Sequence, residues 1–182
     1  MELRIKHIAY LGMMVLLLSC KKNETNGNQF ASNFLAGSST FVNNGTYPKL
    51  YTCDSTGISP TLRWEGAPSA TRSFAITMHH IPPTGDKHVY MVLYDIPSTI
   101  NSIPEAVNTV GKWGINTVNG QNKYTPPCSV GPGPKVYIIT VYALSAAPVI
   151  SLPPQQITMD VVLNAIAPLK LASSELTVTY TR

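Results

Sequence analysis

Residues 136–144, VYIITVYAL, carry the clearest signal of the fold. This stretch is apolar or aromatic at nearly every position, so both of its faces must be covered, as in a strand at the centre of a sheet. Two further stretches have the same character, HVYMVLY at 88–94 and SFAITMHH at 73–80. Together they predict the central strands of one sheet, and the alternation in 73–80 places His79 and His80 on opposite faces.

Loops and shorter elements flank these strands. The segments PPTGD at 82–86 and PPCSVGPGP at 126–134 predict loops that lead into two of the strands. Residues 159–166 have apolar side chains at helical spacing after a candidate cap at Thr158, which predicts one short amphipathic helix. The alternation over 174–181 predicts a closing strand with one face in solvent.

The composition fits a β-rich protein and argues against nucleic-acid binding. Charged residues make up only 12% of the chain, whereas it contains 15 prolines and 12 glycines, which is typical of strands and loops. The formal net charge is +4, but the lysines are scattered and form no basic run. Neither nucleic acid nor an acidic surface is indicated as a partner.

The N-terminus indicates export. Arg4 and Lys6 precede an apolar run over residues 8–18, which is shorter than the roughly 20 residues that a helix needs to span a bilayer. The run ends in Leu17-Leu18-Ser19-Cys20, which resembles the lipobox of bacterial lipoproteins. Residues 1–19 are therefore predicted to be a signal peptide, and Cys20 the lipidated first residue of the mature protein.

This predicted lipid implies a location and a domain arrangement. Residues 20–33 are mostly polar and are predicted to be the lipidated cysteine with a flexible tether, followed by one domain over 34–182. The domain is expected outside the cytoplasm, anchored to the bacterial cell envelope. Lys21 follows the lipidated cysteine in place of the aspartate that often signals inner-membrane retention, which favours the outer membrane.

Two other cysteines, Cys53 and Cys128, remain in the mature chain. In an oxidising compartment they could form a disulfide, which would stabilise the fold by roughly 2–4 kcal/mol. The alternative is two separate buried thiols, and the sequence leaves both open because it does not fix the distance between the two residues.

The chain contains none of the familiar catalytic motifs. A nucleophile elbow, a P-loop, a paired-cysteine zinc site and a HExxH helix are all missing from the sequence. We therefore predict a protein that is not an enzyme and has no cofactor. His80 and His88 are the alternative, a metal site on neighbouring strands, because imidazole is a good ligand for copper.

A series of short motifs runs along the chain in a specific order. They are YTCD at 51–54, ISPTLRW at 58–64, GAP at 66–68, SFAI at 73–76, YDIP at 94–97, GIN at 114–116, PC at 127–128 and VYAL at 141–144. Their order and spacing resemble the phosphatidylethanolamine-binding protein family, in its bacterial Raf-kinase-inhibitor-like branch. The resemblance extends from about Phe34 to Tyr180.

The resemblance implies a mainly β fold, with a large antiparallel sheet packed on a smaller sheet and a few short peripheral helices. It also implies a small pocket at the strand ends that accepts a phosphate or a phospholipid head group. Matching motifs place His88, Pro127, Cys128 and Tyr137 in that pocket.

Two pocket positions depart from the family pattern. The family's acidic loop is replaced by residues 79–83, which include His80, and the second pocket histidine is replaced by Lys135. These replacements predict a more positive pocket, because an ammonium and an imidazole replace an acid–base pair. They also remove the carboxylate that could accept a hydrogen bond from a protonated ligand oxygen.

Two functions follow from these residues. The first is a membrane-anchored, non-catalytic binding protein for a small anion, in which His88 and Tyr137 donate hydrogen bonds, Lys135 supplies charge, and Gly114 and Pro127 shape the wall. The alternative is a protein-interaction or inhibitor module that acts on an envelope or secreted hydrolase, with the pocket degenerate.

Overall fold

The computed structural model describes residues 33–83 and 85–182. The predicted signal peptide, Cys20 and all of the predicted tether except Asn33 lie outside the described residues. Both core clusters fall between Phe34 and Tyr180, so the domain has its own core and is expected to fold without the signal peptide. Among the described residues, no helix has the length and apolar character that a membrane span requires.

The described residues form nine strands and one α-helix. In chain order, they are β1 (Leu35–Gly37), β2 (Gly45–Thr46), β3 (Leu62–Glu65), β4 (Ser73–His80), β5 (His88–Pro97), β6 (Ser102–Ile103), β7 (Lys112–Trp113), β8 (Lys135–Leu144), α1 (Met159–Ile166) and β9 (Lys170–Tyr180). Short 3₁₀ turns occur at Lys49–Tyr51, Pro154–Gln156 and Ala167–Leu169.

The strands form a large sheet in the order β2-β9-β8-β4-β5-β7 and a small sheet in the order β1-β3-β6. The predicted central strands are confirmed, because β8, β4 and β5 are neighbours and antiparallel in the large sheet. β2 departs from the antiparallel expectation, since it pairs with β9 in parallel. β9 starts at Lys170, earlier than predicted, because it follows β8 to the end of that strand.

The core lies on both faces of the large sheet. The small sheet packs on the inner face, where the rings of Trp64 and Phe74 are 5.1 Å apart. On the outer face, α1 packs Val162 and Ile166 into a second cluster that includes Val92. The predicted helix is confirmed, and its Thr158 cap accepts a hydrogen bond from the Val161 amide at 3.2 Å.

Candidate functional site

A cavity of about 230 Å³ lies at one end of the large sheet. β4 runs antiparallel to β5 and β8, so its last residue meets the first residues of both neighbours. The cavity is lined by His80, Pro82, His88, Tyr90, Cys128, Ser129, Val130, Lys135 and Tyr137. A second hollow of about 370 Å³ shares four of these residues and adds Thr117 and Val118.

Strand pairing brings the aromatic side chains of the cavity together. His80 pairs with His88 across β4 and β5, and their rings are 6.2 Å apart. The His80 ring also lies 5.5 Å from that of Tyr137 on β8. A bulge in β5 leaves Tyr90 without a partner on β4, so that Tyr90 and Met91 both face the inner side of the sheet.

His80 is fixed in one tautomer by the backbone. Its Nδ1 lies 2.7 Å from the Val136 carbonyl oxygen, and a carbonyl can only accept, so Nδ1 carries the proton. Its Nε2 makes no hydrogen bond to another described residue. A neutral His80 therefore offers an acceptor at Nε2, and a protonated one offers a donor.

The two tyrosines in the wall are neutral donors. Burial raises the pKa of Tyr137, and the neighbouring Tyr90 raises it further. Burial also raises the pKa of the Tyr90 hydroxyl. No carboxylate lines the cavity among the described residues, whereas Lys135 brings an ammonium at the start of β8. The cavity therefore has a positive and donor-rich lining.

The loop that carries Ser129 is held at two adjacent residues. Cys128 forms a disulfide with Cys53, with their Cα atoms 5.3 Å apart, so the structure pairs the two cysteines. The Cys53 amide also donates to the Pro127 carbonyl oxygen at 3.1 Å. Ser129 comes next, is only 2% exposed, and its Oγ has no hydrogen-bond partner within 33–83 and 85–182.

The structure brings together most of the residues that the sequence assigned to the pocket. His80, His88, Cys128, Lys135 and Tyr137 all line the cavity.

Two assigned residues lie elsewhere. Gly114 packs on the outer face, where an added Cβ would come within 2.7 Å of the Ile157 carbonyl oxygen and 2.8 Å of Val92. It is needed there for close packing and does not shape the cavity wall. Pro127 is buried behind the wall, where its carbonyl accepts from Cys53.

Sequence reasoning missed Ser129 and Tyr90 as lining residues. Tyr90 could have been found from the two-residue period, because it follows His88 by two positions on β5. The signal for Ser129 was only its place directly after Cys128.

The histidines form a pair in the cavity and not a larger cluster. His79 lies on the other face of β4, opposite Val89, as the alternation predicted. His80 and His88 are the candidate ligands for the metal alternative, and no group of three or more His, Cys, Asp or Glu converges in the described part of the chain. The sulfur of Met78 on the same strand accepts a contact from the Tyr47 hydroxyl at 3.7 Å.

Comparisons with known proteins agree with this architecture. Residues 37–181 match the family model described as phosphatidylethanolamine-binding protein. The UPF0098 protein of Aquifex aeolicus is 36% identical over 133 residues, which cover 70% of this chain and 77% of that protein. The UPF0098 protein of Chlamydia muridarum is 29% identical over 139 residues, which cover 73% and 89%.

Two solved structures share the fold. YbcL of Escherichia coli, described as a member of the mammalian family of these binding proteins, superposes with a TM-score of 0.71 at 25% identity and covers 82% of this chain and 98% of its own. A phosphatidylethanolamine-binding protein homologue from Chlamydia trachomatis superposes with a TM-score of 0.75 at 24% identity and covers 84% and 99%.

Proposed function

The chain belongs to the phosphatidylethanolamine-binding protein family, and on this premise we propose that it is a non-catalytic binding protein whose cavity holds a small anion. The ligand is a phosphate, or the phosphate of a phospholipid head group. The partner is therefore a small molecule or a lipid, and no nucleic acid is involved.

The observation that carries the proposal is the chemistry of the cavity wall. Lys135, His88 and the neutral phenol of Tyr137 converge on one small space, and no carboxylate lines it among the described residues. An anion is attracted by the ammonium and accepts hydrogen bonds from the other two groups, of which Tyr137 is buried and His88 is exposed at the start of β5.

His80 supplies an acceptor in place of the missing carboxylate. Because its Nδ1 donates to the Val136 carbonyl, a neutral His80 presents Nε2 as an acceptor. Hydrogen phosphate carries a proton that can be donated to this nitrogen, whereas sulfate at neutral pH does not. The cavity is therefore proposed to bind phosphate more tightly than sulfate.

Isothermal titration of the mature chain, residues 20–182 with Cys20→Ser, tests the proposal. The ligands are inorganic phosphate, sulfate, phosphoethanolamine and glycerophosphoethanolamine, which separate free phosphate from a lipid head group. Lys135→Ala should weaken binding about 10-fold or more, because a hydrogen bond to a charged group contributes roughly 1.5–3 kcal/mol.

Lys170→Ala is the matched control, since it removes the same charge at the opposite end of β8 and β9. The Lys170→Ala variant should bind the four ligands with the same affinity as the parent protein. If none of the four ligands binds, or if both variants lose affinity equally, the anion site is refuted and the interaction-module alternative takes its place.

We also propose that a lipid on Cys20 holds the domain at the cell envelope, outside the cytoplasm. The basic start, the short apolar run and the lipobox-like residues support this assignment. Incorporation of labelled palmitate should occur in the full-length protein and disappear in Cys20→Ser. Labelling that persists in the variant would contradict the assignment.

A further inference from the structure

Ser129 belongs to a small group of buried hydroxyls that have no hydrogen-bond partner. In the described part of the chain, the others are Thr71 and Thr77. A buried hydroxyl without a partner destabilises the folded state, because it has lost its hydrogen bonds to water and gained none. Of the three, Ser129 lines the cavity. Its missing partner can therefore be supplied by whatever occupies that space.

The position of Ser129 is fixed before any ligand arrives. The two residues before it are held to Cys53, one through its side chain by the disulfide and one through its carbonyl oxygen by a hydrogen bond. A hydroxyl that is already in place loses little conformational entropy when it binds. The loop over residues 126–134 thus presents a preorganised group to the cavity.

We propose that Ser129 is a ligand-binding residue that donates its hydroxyl proton to an unprotonated oxygen of a phosphate-type anion. This inference rests on the proposed function of the cavity. Lys135, His88 and Tyr137 approach the anion from strands of the large sheet, whereas Ser129 adds a donor from the loop. The ligand class is a tetrahedral oxyanion, whose several free oxygens can accept from donors that come from separate elements.

The test compares Ser129→Ala with Thr77→Val. Thr77 is also buried and has no partner for its hydroxyl, but it lies in the middle of β4 on the outer face, opposite Val92. Titration with inorganic phosphate and with glycerophosphoethanolamine measures affinity, and urea unfolding without ligand measures stability.

Ser129→Ala should weaken phosphate binding about 10-fold while leaving the unliganded protein as stable as the parent, or more stable. Thr77→Val should raise stability and leave phosphate affinity unchanged. These opposite effects separate a ligand contact from a structural role. If Ser129→Ala loses affinity for both inorganic phosphate and glycerophosphoethanolamine, Ser129 binds a phosphate oxygen that the two ligands share. If it loses affinity for only one of them, that ligand identifies the source of the anion.

Two results would overturn the inference without touching the proposed function. One is that the parent protein binds phosphate and Ser129→Ala binds it within 2-fold of the parent. The other is that Ser129→Ala and Ser129→Gly both lose stability before ligand is added, since the hydroxyl would then have a structural partner. Failure of the parent protein to bind any of the ligands would instead refute the proposed function itself.

Discussion

Two neighbouring groups of polar side chains in the same core differ in how their hydrogen bonds are satisfied. In the first, a tyrosine cluster, the Tyr47 hydroxyl lies 3.1 Å from that of Tyr124, and Tyr124 donates to the Tyr51 carbonyl oxygen at 2.5 Å. The Tyr51 hydroxyl donates to Glu105 at 2.5 Å and lies 2.8 Å from that of Thr40. Each hydroxyl in this cluster has a partner.

The second group consists of the polar side chains that line the cavity, next to the tyrosine cluster. The ring of Tyr137 in the cavity wall is 6.2 Å from that of Tyr47, yet Ser129 Oγ in the same wall is buried and has no hydrogen-bond partner among the described residues. The satisfied cluster stabilises the fold, whereas the cavity keeps the Ser129 hydroxyl free. An unsatisfied buried group therefore indicates where a ligand is expected, provided that it faces a space large enough to hold one.

The largest effect is expected from removing the disulfide. Cys53 and Cys128 are 75 residues apart, and loop-closure entropy predicts a loss of roughly 4 kcal/mol for Cys53→Ala with Cys128→Ala. The same change should weaken phosphate binding, because Ser129 would no longer be held in place. Urea unfolding and titration measure the two effects.

Ser129→Ala provides the control for this experiment. If the disulfide acts on binding through Ser129, its removal should weaken phosphate binding in the parent and much less in the Ser129→Ala background. Equal losses in both backgrounds would show that the disulfide acts on the cavity by another route.

Tyr124→Phe should have the next largest effect, and only on stability. It leaves the Tyr51 carbonyl without its donor in the core, which costs about 1–3 kcal/mol in the free energy of unfolding. Phosphate affinity should not change, because Tyr124 does not line the cavity. Tyr142→Phe is the control, since Tyr142 is half-buried on the outer side of the sheet. A loss of affinity in Tyr124→Phe would mean that the two groups are not independent.

The smallest effect concerns His79, which faces away from the cavity. Burial lowers its pKa, and the neighbouring Lys87 and His80 lower it further. The unfolded chain therefore binds a proton more readily than the folded one just below the ordinary value of 6.5, so the free energy of unfolding should fall as pH drops through this window. His79→Gln should flatten this dependence in urea unfolding at about pH 5.5 and about pH 7.5. An unchanged slope would assign the dependence to other groups.

The central strands could be predicted because their residues carry the signal themselves. The run at 136–144 is apolar on both faces, and only a doubly covered strand explains it. The helix could be predicted because apolar spacing and the Thr158 cap agree. The start of β9 was missed because its first residues are largely exposed, and only pairing with β8 makes them a strand.

The candidate site could be predicted from the sequence only in part. His88 and Lys135 could be placed at the same end of the sheet from strand order and the family resemblance. The sequence did not show that a bulge after Tyr90 turns Met91 to the same face, or that the hydroxyl of Ser129 is buried without a partner. Both facts depend on neighbours that are distant in the chain. Gly114 was predicted in the cavity wall but packs on the outer face of the large sheet, and a glycine has no side chain whose polarity could have indicated the face.

The disulfide between Cys53 and Cys128 also determines when the cavity takes its final form, because the loop after Cys128 is fixed only once this bond has formed. Disulfides form in oxidising compartments and not in the bacterial cytoplasm. If the chain is exported as proposed, Ser129 would therefore be held less firmly until the chain had crossed the inner membrane. On the proposals of export and of the anion site, the phosphate compounds inside the cell would meet a protein without its disulfide, and the oxidised protein would meet only the ligands present outside.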